Sequence, residues 1–420
     1  MRIDGVVRVP GDKSISHRAL MLGALGDGVS RVRGVLQSLD VQSTAGVLRA
    51  LGAAVPALSE AMVIRGGGLH GLRAPSVDLD CGNSGTSARL LAGIVAGSPF
   101  AGRFVGDASL SRRPMGRVAR PLTQMGARFA FEGRGEGLPM TVHGGRLQGL
   151  TWHMEHASAQ VKSAMLLAGL VADVPVEVHE VTPTRDHTER MFAGRGVDLR
   201  VEDGVVTLVP TGRLDADDQM VPADPSSAAF FAALAAIADA GQLALDDVCI
   251  NPTRVGAFRV LRRMGVALAY EDRRTEGGDE VARVVIGPGA LLGTVIEGHE
   301  VPSLVDELPV LACVAACAEG ETRVTGAGEL RVKESDRIKA IVENLRAVGA
   351  AAEELPDGFV VQGGGRRPFS GRVTTHGDHR IAMAFGVLGA IPGSAIVIDD
   401  PACAAVSFPT FWEELARVGR

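Results

Sequence analysis

The sequence predicts an α/β protein of two domains assembled from six copies of one supersecondary unit. Three observations carry this reading. A polar cluster opening an Ala/Leu-rich helix recurs six times at roughly 70-residue intervals, a period too long for a thin solenoid turn. Each copy then holds a second helical pattern that runs into a glycine. The chain's 420 residues also exceed what one ordinary core holds, so two domains are expected.

The six openings are Ser14-Ile15-Ser16-His17-Arg18, Asn83-Ser84-Gly85-Thr86-Ser87, Ser158-Ala159-Gln160-Val161-Lys162, Asp224-Pro225-Ser226-Ser227, Asp306-Glu307 and Gly377-Asp378-His379-Arg380. Helix N-termini expose unpaired N–H groups and a partial positive charge, so six of them aimed at a common cleft form an anion site. The second helices are expected at Ser43–Leu51, Pro114–Met125, His187–Ala193, Arg254–Met264, Asp336–Val348 and Pro409–Val418. Gly52, Gly126, Gly194, Gly265 and Gly349 follow five of them and Gly419 meets the sixth, as left-handed caps would.

Composition narrows the function. Hydrophobic residues make up 46% and aromatic ones only 4%, which favours close helix packing and disfavours base-stacking platforms. The net charge of −6 argues against nucleic acid, yet a local Arg/Lys cluster can still hold a small anion. No apolar run approaches the ~20 residues of a membrane span. Asp4, Asp12 and Lys13 interrupt any signal-peptide pattern, and five scattered cysteines suit a reducing cytosol, so a cytoplasmic protein is expected.

Several motifs have plainer readings. Gly66-Gly67-Gly68-Leu69-His70-Gly71 matches G-x-G-x-x-G, but Pro75 follows and no helix opens, so a turn is expected. Cys313 and Cys317, one helical turn apart, lack the partners of a zinc set. Asp186-His187 with Glu189-Arg190 gives no metal-ligand spacing, and no second acidic cluster is evident to join it.

The charged motifs point elsewhere. The plainer reading of this helix start is a solvated cap with a serine, Ser14 or Ser16, as N-cap; Lys13 and Arg18 crowd it where the dipole disfavours them, a conflict an anion resolves. Arg113-Pro114 repeats the logic, with Pro114 suited to the first helical position and the arginine to a phosphate or carboxylate clamp. Arg331-Val332-Lys333-Glu334-Ser335-Asp336-Arg337 reads either as surface ion pairs or as an acid/base glutamate among cations. Asp306 reads as a helix cap or as a site carboxylate.

Taken together and in order, Gly11–Arg18, Gly82–Thr86, Arg113–Gly116, Ser158–Gln160, Arg331–Arg337 and Asp378–Arg380 resemble the 5-enolpyruvylshikimate-3-phosphate (EPSP) synthase family over nearly the whole chain. The resemblance implies two domains, each of three βαβαββ units in an inside-out α/β barrel, with residues 1–12 plus 226–420 forming one and 13–225 the other. It places the active site in the cleft between them. It implies transfer of the enolpyruvyl group of phosphoenolpyruvate to the 5-hydroxyl of shikimate 3-phosphate, by a monomer needing no metal and no organic cofactor.

Carried over by motif, Lys13, Ser14, Arg18, Ser158, Ala159, Gln160, Asp306 and Lys333 bind shikimate 3-phosphate. Lys13, Asn83, Gly85, Thr86, Arg113, Gln160, Arg337 and Arg380 bind phosphoenolpyruvate. Asp306, Glu334 and Lys13 form the catalytic set. Some positions depart from the best-known pattern. Val406 stands in place of a frequent Lys, Glu329 in place of an Asn, and Ala159 in place of a second Ser. Thr184-Arg185-Asp186-His187 replaces a Ser-x-x-Tyr segment, which gives Arg185 a shikimate 3-phosphate contact.

Two rivals remain. The sister uridine-diphosphate-N-acetylglucosamine enolpyruvyl transferase has Lys-Asn-Ala near its N-terminus and a reactive loop cysteine. Here Lys13-Ser14-Ile15-Ser16 stands and no Cys lies around Arg113. A non-catalytic anion-binding protein on the same scaffold would need neither Asp306 nor Glu334.

Overall fold

The computed structural model describes residues 1–133 and 135–419. It comprises two compact units. The inserted unit is Gly11–Val221 with Glu276–Asp279; the terminal unit is Met1–Pro10, Pro222–Thr275 and Glu280–Arg420.

In the inserted unit the helices are α1 (Lys13–Leu25), α2 (Leu39–Ala50), α3 (Gly85–Ala96), α4 (Gly116–Met125), α5 (Ala159–Ala172) and α6 (His187–Ala193). One copy shows the plan. Strand Leu79–Asp80 leads to α3 and strand Ala101–Val105, then to α4 and the pair Arg128–Phe131 and Met140–His143. The first two strands run parallel, and the last strand inserts antiparallel beside the second. Leu150–His153, Val176–His179, Asp198–Glu202 and Val205–Val209 repeat this order around α5 and α6. The copy containing α1 and α2 takes its first strand, Gln219–Met220, from the far end of the insertion, where it pairs with Asp27–Arg33.

The terminal unit holds α7 (Pro225–Ile237), α8 (Gly256–Arg263), α9 (Leu308–Ala316), α10 (Arg337–Ala347), α11 (His379–Gly389) and α12 (Phe411–Val418). Here the chain's opening strand, Arg2–Val7, pairs in parallel with Ala240–Cys249, the strand after α7. In each unit one copy thus takes its first strand from a part of the chain far from its first helix. The same strand order recurs in Val295–Ile296, Glu319–Val324, Ala351–Leu355 and Gly358–Gly364. The last copy keeps only Ser370–Val373 and Ala395–Ile398 among the described residues. The sheets stay open, and helices rather than strands occupy the centre: α7, α9 and α11 pack on one another, as do α3 and α5.

The central helices form because they are apolar all round, and such a helix is stable only when buried on every side. All of α7 and α9 is buried. Four of the central helices, α1, α3, α7 and α11, are capped by side chains: Asp12 accepts from the Ile15 N–H at 2.8 Å, Ser84 from Ser87 at 3.1 Å, Asp224 from Ser226 at 2.7 Å and Asp378 from Arg380 at 2.9 Å.

Three expectations need correction. The cap of α1 is Asp12 rather than Ser14 or Ser16, which lie inside the helix; an aspartate there offsets the Lys13 and Arg18 charges at the positive end of the dipole. Pro114 precedes α4, whose first residue is Gly116. Gly52, Gly126, Gly265 and Gly349 have positive φ, but Gly194 and Gly419 do not; after α6 the left-handed residue is Gly196, at φ 74°.

The glycine run at 66–71 has a packing cause. A Cβ on Gly66 would lie 2.0 Å from the Gly26 carbonyl oxygen and 2.7 Å from that of Gly23, so the strand Ala61–Gly67 meets the end of α1 backbone to backbone. Gly66→Ala is therefore expected to lower the unfolding free energy by roughly 1–3 kcal/mol, the usual cost of overpacking. Gly46→Ala, in α2 with nothing within 4 Å of the added carbon, should raise it by about 0.5–1 kcal/mol. Urea titrations of the two variants check both signs.

Candidate active site

In the inserted unit the polar starts of α1, α3 and α5 carry most of the expected residues. Gln160, in the first turn of α5, donates from Nε2 to the Thr86 hydroxyl at 3.0 Å. Its Oε1 accepts from Arg89 Nη1 at 2.7 Å. Arg113 is buried and donates to Asn83 Oδ1 at 2.7 Å. A Cβ on Gly85 would sit 2.7 Å from Arg89 Nη1 and 3.4 Å from Arg113 Nη1, so the glycine leaves room for two guanidinium groups. Asn83, Gly85, Thr86, Arg113 and Gln160 thus gather into one polar cluster. Ser158 caps α5 and Ala159 is that helix's first residue.

Arg89 was missed in the sequence, where it reads as one charge on an apolar helix. Its signal is position: it lies one turn after Gly85, on the face that Gln160 approaches.

Lys13 opens α1, and its Nζ lies 2.9 Å from Asp40 Oδ2 at the start of α2. Arg18, one turn further, is buried and makes three donations: Nε to the Thr188 hydroxyl at 2.7 Å, Nη2 to Ser163 at 2.7 Å and Nη1 to the Ser14 carbonyl at 3.0 Å. Beneath these groups a chain of short contacts runs from His17 Nδ1 to Thr44 Oγ1 at 2.6 Å, on to Ser87 at 2.6 Å and to the α3 cap Ser84 at 2.8 Å. Burial first, then the charges of Lys13 and Arg18, pushes the imidazole well below its ordinary range, so His17 is neutral at pH 7.

In the terminal unit the hub is Arg337, 1% exposed at the start of α10. Its Nε is 2.8 Å from Asp378 Oδ2, its Nη2 is 2.7 Å from Glu334 Oε2 and its Nη1 is 3.3 Å from Asp306 Oδ1. Burial alone would lower this guanidinium; Asp378, Glu334 and Asp306 together override it and hold the charge firmly. An arginine expected to clamp an anion is thus already ringed by three carboxylates, two of them expected site residues. Asp378 was seen in the sequence only as part of a motif. Here it caps α11, holds Arg337 and accepts from Ser335 at 2.9 Å.

Arg380 is buried, 3.8 Å from Glu307 Oε1, with its guanidinium 5.9 Å from the centre of the Phe230 ring. Lys333 pairs with Glu329 at 3.2 Å, the residue standing in place of the family's asparagine.

Asp186 and His187 do acquire an acidic neighbour that their spacing did not reveal. Asp279, from the hairpin tip 276–279, lies 3.0 Å from His187 Nδ1. The positive charge there is supplied by Arg190, whose Nε is 2.7 Å from Asp186 and 3.4 Å from Asp279.

Comparison with known proteins gives a consistent result. The model of the EPSP synthase (3-phosphoshikimate 1-carboxyvinyltransferase) family matches residues 1–415. The 3-phosphoshikimate 1-carboxyvinyltransferase of Alkalilimnicola ehrlichii is 50% identical over 421 residues, spanning 99% of this chain and 93% of that protein. That of a Sulfurihydrogenibium species is 46% identical over 423 residues, spanning 100% and 98%. Among solved structures, EPSP synthase from Acinetobacter baumannii superposes with a TM-score of 0.88 at 42% identity, covering 100% of this chain and 96% of that one. The enolpyruvyl transferase NikO from Streptomyces tendae, at 17% identity and a TM-score of 0.74, shares the fold.

His17 gives a pH signature. The unfolded chain protonates an imidazole near 6.5, whereas the folded state keeps it neutral to well below that. Between those two values the unfolded state binds the extra proton, so stability falls as the pH drops below about 6.5, by at most about 1.4 kcal/mol per pH unit. Urea titrations at pH 7.5 and 5.5 should show a larger acid loss for the wild type than for His17→Asn. Equal losses would mean that His17 is not held neutral.

Proposed function

The chain belongs to the EPSP synthase family, and we propose that the polar helix starts described above carry enolpyruvyl transfer from phosphoenolpyruvate to the 5-hydroxyl of shikimate 3-phosphate. The products are 5-enolpyruvylshikimate 3-phosphate and phosphate, a step of the shikimate pathway toward aromatic amino acids. The sister transfer to a nucleotide sugar is not favoured, since the curated relatives bearing the family's activity are 43–50% identical.

One observation carries the assignment of roles: Asp306 and Glu334 are held on a single buried guanidinium. The reaction needs two proton movements at neighbouring atoms, and two carboxylates fixed by one cation suit them. Asp306 accepts the proton of the 5-hydroxyl as its oxygen bonds to C2 of phosphoenolpyruvate. Glu334 delivers a proton to C3, giving a tetrahedral intermediate. In the second half Glu334 takes a proton back from C3, the double bond re-forms, the C2–O bond to phosphate breaks, and the leaving phosphate carries away the proton that Asp306 took from the hydroxyl.

Lys13, Ser14, Arg18, Ser158, Ala159, Gln160, Arg185 and Lys333 are assigned with Asp306 to shikimate 3-phosphate. Lys13, Asn83, Gly85, Thr86, Arg113, Gln160, Arg337 and Arg380 are assigned to phosphoenolpyruvate. Arg113 and Arg380 are buried arginines, and charge-assisted bonds from such groups are stronger than neutral ones. Arg337 joins the set only by exchanging one of its carboxylates for the substrate's.

Purified protein given both substrates should release phosphate and form the enol ether, with and without a chelator. No release under any condition would sink the reading; release only with an added divalent ion would show that the Arg and Lys groups do not suffice to neutralise the substrates.

Glu334→Gln should bind both substrates and lose about 10²–10⁴-fold in turnover, because the amide fills the same space but cannot donate a proton to carbon. Single-turnover kinetics with binding titrations on the same variant separate the two effects. Near wild-type turnover would return Glu334 to the role of an ion-pair partner of Arg337.

A further inference from the structure

We propose that Lys162 is a positioning residue for the acceptor substrate: its buried ammonium staples both ends of segment 180–189, which carries Arg185. This rests on the reading of Arg185 and Arg18 as shikimate 3-phosphate contacts.

Lys162 lies in α5, in the turn after Gln160, with its side chain 1% exposed. Its Nζ is 3.0 Å from Glu180 Oε2 and 2.5 Å from Glu189 Oε1, and both carboxylates are buried. Each arm leads to an arginine. Glu180 uses its other oxygen, Oε1, to accept from the Thr184 N–H at 3.1 Å and the Thr184 hydroxyl at 2.5 Å. Thr184 is the residue before Arg185, so the loop is pinned where the arginine leaves it. Glu189 ties α6 to α5 beside Thr188, whose hydroxyl accepts from Arg18 Nε at 2.7 Å. Ser163, the residue after Lys162, accepts from Arg18 Nη2 at 2.7 Å and lies 2.7 Å from the Thr188 hydroxyl.

Stability alone does not account for this arrangement. Desolvating three charges costs about as much as their attraction returns, and well-packed neutral side chains often do as well. Glu189 shows the cost: Oε2 is buried without a hydrogen-bond partner among the described residues, and burial raises its pKa against the pull of Lys162. What the triad provides is geometry. A segment without regular structure from 181 to 186 is held at both ends by one rigid point.

Lys162→Met alone would strand two buried carboxylates, so the test combines Lys162→Met, Glu180→Gln and Glu189→Gln, which removes the charges together and nearly keeps the volumes. Arg185→Ala is made alone and with this triple. The readouts are amide hydrogen exchange over 181–186, the KM for each substrate, and kcat. In the wild-type background the triple should speed exchange and raise the KM for shikimate 3-phosphate about tenfold, while the KM for phosphoenolpyruvate stays within about twofold. In the Arg185→Ala background it should add less, the non-additivity expected of groups acting through one another.

Unchanged exchange in a folded triple overturns the proposal. So do equal rises in both KM values with a lowered Tm, which mark a purely structural triad. If Arg185→Ala alone leaves the KM for shikimate 3-phosphate unchanged, the substrate reading of Arg185 has failed, and exchange still decides whether the staple holds the loop. If the triple does not fold, Thr184→Val removes only the hydroxyl arm: faster exchange with a raised KM for shikimate 3-phosphate supports the staple, and no change overturns it.

Discussion

Helix α7 has no polar face: residues 225–237 are all buried, and the same is true of α9 along its length. A helix buried on every side can present polar groups only at its ends, where the backbone itself is unsatisfied. In α1, α3, α5, α7 and α11 the N-terminal ends are capped by Asp or Ser. Lys13, Gln160 and Arg380 bear polar side chains just inside such caps, and Gly85 leaves space there. The apolar core therefore determines where chemistry can sit, and the repeat multiplies the number of such places within each unit.

A second regularity follows from the repeat. In four copies the start of the second helix reaches back to the start of the first. Asp40 meets Lys13, Arg113 meets Asn83, Arg254 meets the α7 cap Asp224 at 3.0 Å, and Arg337 meets Asp306. The partner changes with the copy while the placement stays. Where the central helix begins with a neutral amide, as at Asn83, the arginine donates to that amide's oxygen. Where it begins with carboxylates, the arginine is already compensated, and a substrate anion must replace one of them. The same device thus yields a donor set around Gly85 and a set of carboxylates, Asp306 and Glu334, around Arg337. Net charge of the whole chain has little influence on either, because these pairs are short and shielded from water.

What was legible in the sequence was local. A polar cap followed by an apolar run is written in consecutive residues, so the starts of the six central helices could be read directly. Cap details were less secure: Asp12 displaced Ser14 because an acidic cap answers the two nearby cations, and Pro114 lies ahead of α4. Contacts between distant segments were not legible. The distant pairing of Arg2–Val7 with Ala240–Cys249 and of Gln219–Met220 with Asp27–Arg33 leaves no periodic trace, since each strand is short and reads the same wherever it pairs. Asp279 lies 92 residues from His187, more than one copy away, and nothing in either neighbourhood signals the pairing. Arg89 and Lys162 were hidden for another reason. A single charge within an apolar helix reads as a surface residue until its partners, far away in the chain, are known.

The neighbouring pair Asp306 and Glu307 shows how the local and distant parts of the design meet. Two adjacent carboxylates at one helix start would repel each other if both faced the same way. They are instead drawn to different arginines, Asp306 to Arg337 and Glu307 to Arg380. Each arginine comes from the start of a different helix, α10 and α11, and Asp378 joins those two helices by capping one and holding the arginine of the other. The three helix starts are therefore fixed by charge before any substrate arrives. Groups preorganised in this way need little rearrangement during reaction, which is the chief advantage a protein site has over water in stabilising developing charge. The cost is that Arg337 is committed to its carboxylates, so an arriving anion gains only the difference between the two partners. Arg337 thus holds the two carboxylates, Asp306 and Glu334, in fixed places relative to each other.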